Sequence, residues 1–298
     1  MARVLLAHPL LLAESPQEQA SASPYFPLGV LYLAAHARRQ GHEVSIYDGT
    51  FEADRSSFDR ALSEARPDVV GISCVLPTRQ AALDLARRAR QTGAFVVAGG
   101  PDATAEPECY LRGGFDAVVR HEGEQTLTAV LDLADRGHLA AQHLATEPGL
   151  ALWDGDGVID TGRRPPIADL DALPEPARDL IDMNRYLDAW EAEAGYRSLT
   201  VSVSRGCARP ECRHCGDAVH GDDFRQRSPA DVVAELVRIQ EEFAVDRLRL
   251  VDDVDAMERQ WFEAWSAEAE RAGVPIAFEA LSDLERTDLP LLDVRDSL

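Results

Sequence analysis

Three of the chain's five cysteines, Cys207, Cys212 and Cys215, fall within nine residues, in the run Ser204-Arg205-Gly206-Cys207-Ala208-Arg209-Pro210-Glu211-Cys212-Arg213-His214-Cys215-Gly216. Thiolates at C-x4-C-x2-C spacing on one loop converge on a single metal centre, because such short segments fold back within the few ångströms that tetrahedral sulfur ligation requires. The count of three is informative. A cubane iron–sulfur cluster held by three cysteines keeps one iron open for a substrate or cofactor, whereas structural clusters and zinc sites normally fill all four positions. Zinc stays open as the alternative, with His214 or His220 as fourth ligand; Cys207, Cys212, Cys215 and His220 form a Cys3His set of acceptable spacing. Three unliganded buried cysteines are the remaining reading.

A second set of candidates lies in the N-terminal half. In open parallel sheets, ligands sit beyond the carboxyl ends of the strands. Ser73 ends one expected strand, Gly99, Gly100 and Pro101 follow the next, and Glu122, Gly123 and Glu124 follow the one after. Two consecutive glycines permit positive φ and let a bulky planar ligand approach the backbone, while a serine hydroxyl there bonds a ligand amide. The same residues also serve as a tight turn and a helix cap. No G-x-G-x-x-G and no G-x-x-x-x-G-K-[ST] occurs, so a dinucleotide or nucleoside triphosphate is not indicated. His8 and His42, near strand ends, read as satisfied structural histidines.

The elements that must position these residues alternate in the manner of a parallel sheet with crossover helices. Strands are expected at Arg3 to Ala7, Val44 to Tyr47, Val69 to Ser73, Phe95 to Ala98 and Ala117 to Val119. Helices are expected at Leu28 to Gln40, Ser56 to Ala65, Thr78 to Arg90, near Pro107 to Arg112, and at Gln125 to Asp135. Leu150 to Asp160 reads as a hairpin turning at Asp154 to Gly157, and Arg164 to Pro176 as a Pro-rich linker. The rhythm then resumes: strand Leu199 to Val203, the cysteine loop, helix Pro229 to Phe243, strand Arg247 to Val251, helix Arg259 to Ala272 and strand Ile276 to Phe278. The expected organisation is α/β, with a doubly wound domain over 1–140, a hairpin and linker over 141–195, and a βα domain over 196–298.

Composition sets bounds. The chain of 298 residues is 45% hydrophobic, enough for two ordinary cores and incompatible with disorder. With 52 acidic residues against 30 basic, its net charge of -22 repels phosphate backbones and anionic lipid head groups, so nucleic acid is not an expected partner. No apolar stretch approaches the roughly 20 residues of a membrane helix, and Met1 to Leu12 lacks a cationic leader and a cleavage site. A cytoplasmic location is expected, where clustered cysteines indicate metal before disulfide.

Together these segments resemble cobalamin-binding (B12-binding) radical S-adenosylmethionine (SAM) proteins over nearly the whole chain. The resemblance runs through Tyr25-Phe26-Pro27-Leu28-Gly29-Val30-Leu31-Tyr32-Leu33-Ala34-Ala35, Gly41-His42-Glu43-Val44 and Tyr47-Asp48. It continues in Asp68-Val69-Val70-Gly71-Ile72-Ser73, Gly99-Gly100-Pro101-Asp102-Ala103-Thr104 and Val118-Val119-Arg120-His121-Glu122-Gly123-Glu124. Further matches are Arg164 to Ile167, Pro176 to Leu180, Arg205-Gly206-Cys207 with its cysteines, Arg225-Gln226-Arg227-Ser228-Pro229, Val232 to Glu235 and Val251-Asp252-Asp253.

The resemblance implies an N-terminal Rossmann-like cobalamin domain and a C-terminal, partial (βα) barrel of radical SAM type. Cys207, Cys212 and Cys215 would ligate a [4Fe-4S] cluster that cleaves SAM, and cobalamin would rest on the loops at Ser73, Gly99, Gly100 and Pro101, with Glu122 and Gly123 beside it. Asp252 and Asp253, after the second barrel strand, are candidates for polar contacts to SAM or substrate, or are solvated acids. The implied activity is methylation or a related radical step on a small molecule in specialised biosynthesis. A non-catalytic or accessory module, for electron transfer, sensing or partner binding, and a zinc-stabilised binding protein are the rival readings. The chain departs from the family pattern in two ways, and it also lacks the cobalt-ligating histidine motif of other cobalamin proteins. One residue is inserted between Cys207 and Cys212, and His214 takes an aromatic position. Three strands follow Arg197 where relatives have about six, so a partner chain, a second copy or a rearranged C-terminal segment is expected to cover the barrel edge. No Asp-x-His-x-x-Gly motif supplies a histidine to cobalt.

Overall fold

The computed structural model describes residues 1–15, 24–206, 220, 223–250, 259–274 and 277–280. They form two compact units: Met1–Ile167 with Leu173–Asp182, and Ala168–Ala172 with the described residues from Met183 onward.

In the first unit, apolar runs too short for helices pair as parallel strands. They are β1 (Arg3–His8), β2 (Glu43–Asp48), β3 (Val69–Ser73), β4 (Phe95–Gly99) and β5 (Ala117–Val119), in the order β2-β1-β3-β4-β5. Alternate residues face opposite cores, so both faces must be apolar. Leu5, Ala7, Val70, Ile72, Val96 and Ala98 pack with Phe58, Leu85 and Tyr110 of the helices Ser56–Ala65, Arg79–Gln91 and Pro107–Arg112. Val4, Leu6, Val69, Val97 and Val119 pack with Val30, Ala34, Leu127 and Leu131 of Leu28–Arg39 and Glu124–Asp135. This is the expected doubly wound sheet, with helices on both faces.

The hairpin, expected within the inter-domain segment, extends this sheet. Strand β6 (Leu150–Trp153) runs antiparallel to β5 through Val118↔Ala151 and Val119↔Leu150, and β7 (Val158–Asp160) follows it. Burial decides its place: Leu150, Ala151 and Leu152 are each at most 4% exposed. Its turn forms as expected, the Asp154 carboxylate accepting the N–H groups of Asp156 (2.9 Å) and Gly157 (2.8 Å). Polar contacts hold the start of the Pro-rich stretch and the residues just after it on this unit: Arg164 on Thr126 (2.9 Å), Ala177 N–H on the Leu31 carbonyl (3.1 Å) and Arg38 on Asp179 (2.7 and 2.8 Å).

The second unit holds β8 (Ser198–Val201), β9 (Ser204–Arg205), β10 (Arg225–Gln226), β11 (Arg247–Leu250) and β12 (Ala277–Ala280). Strands β12-β11-β8 form a parallel sheet, linked through helices Pro229–Glu242 and Arg259–Ala272. Ser228 caps the first of these, accepting the Asp231 N–H (3.2 Å), with Pro229 at its first turn. A helix at Met183–Ala194, within the segment expected as linker, buries Met183, Tyr186, Leu187 and Trp190 at i, i+3, i+4 and i+7. Among the described residues no helix is long and apolar enough to cross a membrane.

One buried ion pair ties this unit together. Arg227 donates to Asp231 (2.8 Å), to the Ser202 carbonyl (2.9 Å) and to Glu235, which is fully buried. Its backbone N–H donates to Val203 O (2.8 Å), and its carbonyl accepts the indole N–H of Trp261 (2.7 Å). Replacing Arg227 with Met strands the Glu235 carboxylate in the core and should cost about 3–5 kcal/mol. Urea unfolding followed by tryptophan fluorescence checks this, and the double variant R227M/E235L should recover most of the loss.

Candidate functional site

Strands β3 and β4 end side by side, Ser73 in register with Gly99. Beyond them the backbone clasps itself: Cys74 N–H donates to Gly99 O (2.7 Å) and Asp102 N–H to Cys74 O (3.2 Å). Gly100 has φ +110°, and a Cβ there would lie 2.8 Å from Cys74 O. This glycine therefore serves the chain's own close approach. Gly99 differs, because a Cβ on it would meet nothing nearer than Val119 at 3.9 Å. Ser73 is partly exposed, and Pro101 is exposed at the first turn of a short helix, Pro101–Ala105. Glu122 and Gly123 are engaged within the fold: the Glu122 carboxylate accepts the Ile167 N–H (3.0 Å), and a Cβ on Gly123 would lie 2.9 Å from Leu33.

Side chains that the sequence reading missed lock these two loops together. Arg79, opening the helix after β3, makes two hydrogen bonds to Asp102 (2.7 and 2.6 Å), whose side chain is 9% exposed. The Tyr110 hydroxyl donates to the same carboxylate. Arg79 is the main cause holding the Asp102 pKa below its ordinary value, while burial pushes Cys74 and Tyr110 up and keeps both protonated. Cys74 is consequently an inert thiol.

In the second unit, β9 and β10 pair antiparallel through Arg225↔Arg205 and Gln226↔Ser204. They close the base of segment 206–224, which carries all three clustered cysteines. Gly206, at φ +83°, sits where a Cβ would lie 2.3 Å from Asp223 O, so the two ends of the loop meet backbone to backbone. Cys207, Cys212, Cys215 and His214, and Asp252 and Asp253 after β11, lie outside the described residues. The backbone carbonyl of His220 accepts from Arg225 (3.5 Å).

Residues 20–131 match the B12 binding domain family. Over 262 residues the chain is 30% identical to an uncharacterized methyltransferase of Pyrococcus horikoshii, covering 86% of this chain and 55% of that protein. Over 246 residues it is 31% identical to hopanoid C-3 methylase of Methylococcus capsulatus, covering 78% and 43%. The structure of the cobalamin-dependent SAM radical enzyme OxsB superposes with a TM-score of 0.76 at 18% identity, over 93% of this chain and 38% of that one. The chain thus carries a B12 binding domain and is similar over most of its length to these two relatives, with the fold of the third. It spans about half the length of the curated relatives it matches.

The family's corrinoid is tested against the first unit by two observations. The first is the open face of Gly99. The second is His8, the last residue of β1, at the point where strand order reverses between β1 and β3. Both of its ring nitrogens are out of solvent and have no hydrogen-bond partner, which corrects the expectation of a satisfied structural histidine. Burial pushes its pKa down, so the ring is neutral near pH 7. The ring nitrogens of His42 likewise make no hydrogen bond, but its Nε2 lies 3.4 Å from the Asp132 carboxylate, and it precedes β2 rather than ending a strand. An uncommitted polar group and a side-chain-free approach at the strand ends fit a large ligand bearing amide and phosphate groups. Gly100→Ala should cost about 1–3 kcal/mol through backbone strain and collision with Cys74, read as a lowered Tm, whereas Gly99→Ala should leave Tm nearly unchanged.

Proposed function

We propose that this chain binds cobalamin at the ends of β1, β3 and β4 and a [4Fe-4S] cluster on Cys207, Cys212 and Cys215, and that it takes part in SAM-dependent methyl transfer to a small molecule in specialised metabolism. The observation that carries this reading is a three-cysteine loop, closed at its base by β9 and β10, in the same chain as a B12 binding domain. The names of the two relatives above, a methyltransferase and a methylase, support methyl transfer over an accessory or zinc-binding role. When bound, the cluster supplies the electron that cleaves SAM, and cobalamin supplies the methyl group.

The residues of the chain supply position and exclude water. The Arg79–Asp102 pair fixes the β3 and β4 loops before the ligand arrives, so little ordering entropy is spent on binding. Gly99 offers its backbone without a side chain in the way. Three thiols leave one position of the cluster open, and Asp252 and Asp253, after β11, are assigned polar contacts to SAM or substrate. A reducing, cytoplasmic setting suits such a thiol set, and the charge of -22 disfavours nucleic acid as substrate.

Anaerobic reconstitution tests the reading. The expected result is about four irons per chain, with a paramagnetic resonance spectrum of the reduced cluster that changes on adding SAM. Cys212→Ala should lose that cluster. A colourless protein holding one zinc, or a cluster indifferent to SAM, overturns the proposal. In a cobalamin titration monitored by visible absorbance, Gly99→Ala should weaken binding about tenfold, near 1.4 kcal/mol, despite its unchanged Tm.

A further inference from the structure

Among the described residues, His8 is a strand-end side chain of the first sheet whose position and two unpartnered ring nitrogens together ask for a ligand. It is in register with Asp48 across the β1–β2 pair. The Asp48 carboxylate accepts the N–H of Thr50 (3.1 Å), and the His8 carbonyl accepts the N–H of Gly49 (3.0 Å). Gly49 is held so closely over this turn that a Cβ would lie 2.8 Å from Leu10 O and 3.0 Å from His8 O. The backbone around the ring is thus fixed, while the ring itself bonds to nothing.

An orphaned buried polar group costs about 1–3 kcal/mol. A hydrophobic residue of similar volume would remove that cost, and Leu5, Leu6 and Ala7 immediately before it show that the strand accommodates apolar side chains. We propose that His8 is a recognition residue for the corrinoid, its imidazole donating N–H to an oxygen acceptor on one of the ligand's polar arms. The inference rests on cobalamin binding as proposed above, and names the group in this chain that reads the ligand. Ring nitrogens closed off from solvent at the end of β1 are out of reach of the flat face of a macrocycle. A slender arm entering beside β1 reaches it. Cobalamin offers two such acceptors, the amide carbonyls of its side chains and the phosphodiester of its nucleotide; cobinamide keeps the first and lacks the second.

The experiment is equilibrium titration of the full chain with aquacobalamin and with cobinamide, comparing the natural protein with His8→Phe and His8→Gln, and recording Tm for each without ligand. His8→Phe should keep or raise the Tm and weaken cobalamin binding about tenfold, while His8→Gln, which retains an N–H donor, should bind within about threefold of the natural protein. A penalty that persists with cobinamide assigns an amide carbonyl as acceptor; one that disappears assigns the phosphodiester. Unchanged cobalamin affinity in His8→Phe overturns the inference while cobalamin binding stands. Failure of the natural chain to bind cobalamin overturns both. Should His8→Phe not fold, His8→Leu decides in the same titration.

Discussion

A parallel sheet delivers every strand end to one edge, and the first unit depends on that constraint. Each of β1, β3, β4 and β5 must turn back through a helix, so the loops that reverse the chain gather where a ligand can meet them. Such loops are costly to hold still, because they lack the ladder that fixes the strands. Here the backbone supplies part of the restraint: Cys74 bonds to Gly99 and Asp102 to Cys74, which joins the β3 and β4 turns into one piece. The Arg79–Asp102 pair adds a charged bracket across the same seam. Rigid strand ends and rigid turns leave His8 as the polar group at that edge with nothing to bond.

The second unit solves the same problem differently. A segment proposed to gather thiols needs its two ends held in place by the elements that flank it. The two-residue ladder between β9 and β10 is too short to persist alone. It is held because Arg227, immediately after β10, bonds to the carbonyls between β8 and β9 and anchors on Glu235 in the next helix. Loop base, parallel strand and helix therefore stand or fall together.

The sequence made the strands and most helices legible because each strand is a bounded apolar run. Val69–Ser73 and Ala117–Val119 begin and end where their side chains say they should. The helix Met183–Ala194 was hidden by the prolines before it, although its buried residues follow helical spacing. The side-chain locks were illegible for a different reason. Arg79 and Asp102 are 23 residues apart and meet only because β3 and β4 are neighbours. Arg227 and Asp231 have helical spacing, but nothing local distinguishes them from a solvated pair. His8 reads like any histidine at a strand end; that its nitrogens lack partners is a property of the packed structure alone. Gly100 was legible as a turn glycine, yet its service to Cys74 rather than to a ligand required the backbone.

The charge composition ties these features together. All 30 basic residues are arginine, and the chain contains no lysine. Most of the arginines described in ion pairs lie on the surface, where such pairs contribute little. Arg79 and Arg227 differ, because the carboxylates they face are almost without exposure, 9% for Asp102 and none for Glu235. A buried pair of this kind gains little over an apolar substitute in stability. What it provides is direction: Arg79 grips Asp102 at two points, and Arg227 spreads its planar fork over Glu235, Asp231 and the Ser202 carbonyl, so each fixes the segments that carry its partners. Both pairs stand where a loop must keep its shape, one between the turns that follow β3 and β4 and one at the base of the cysteine loop. A lysine at either place would keep the charge and lose the second point of attachment, and with it the geometry the loops depend on.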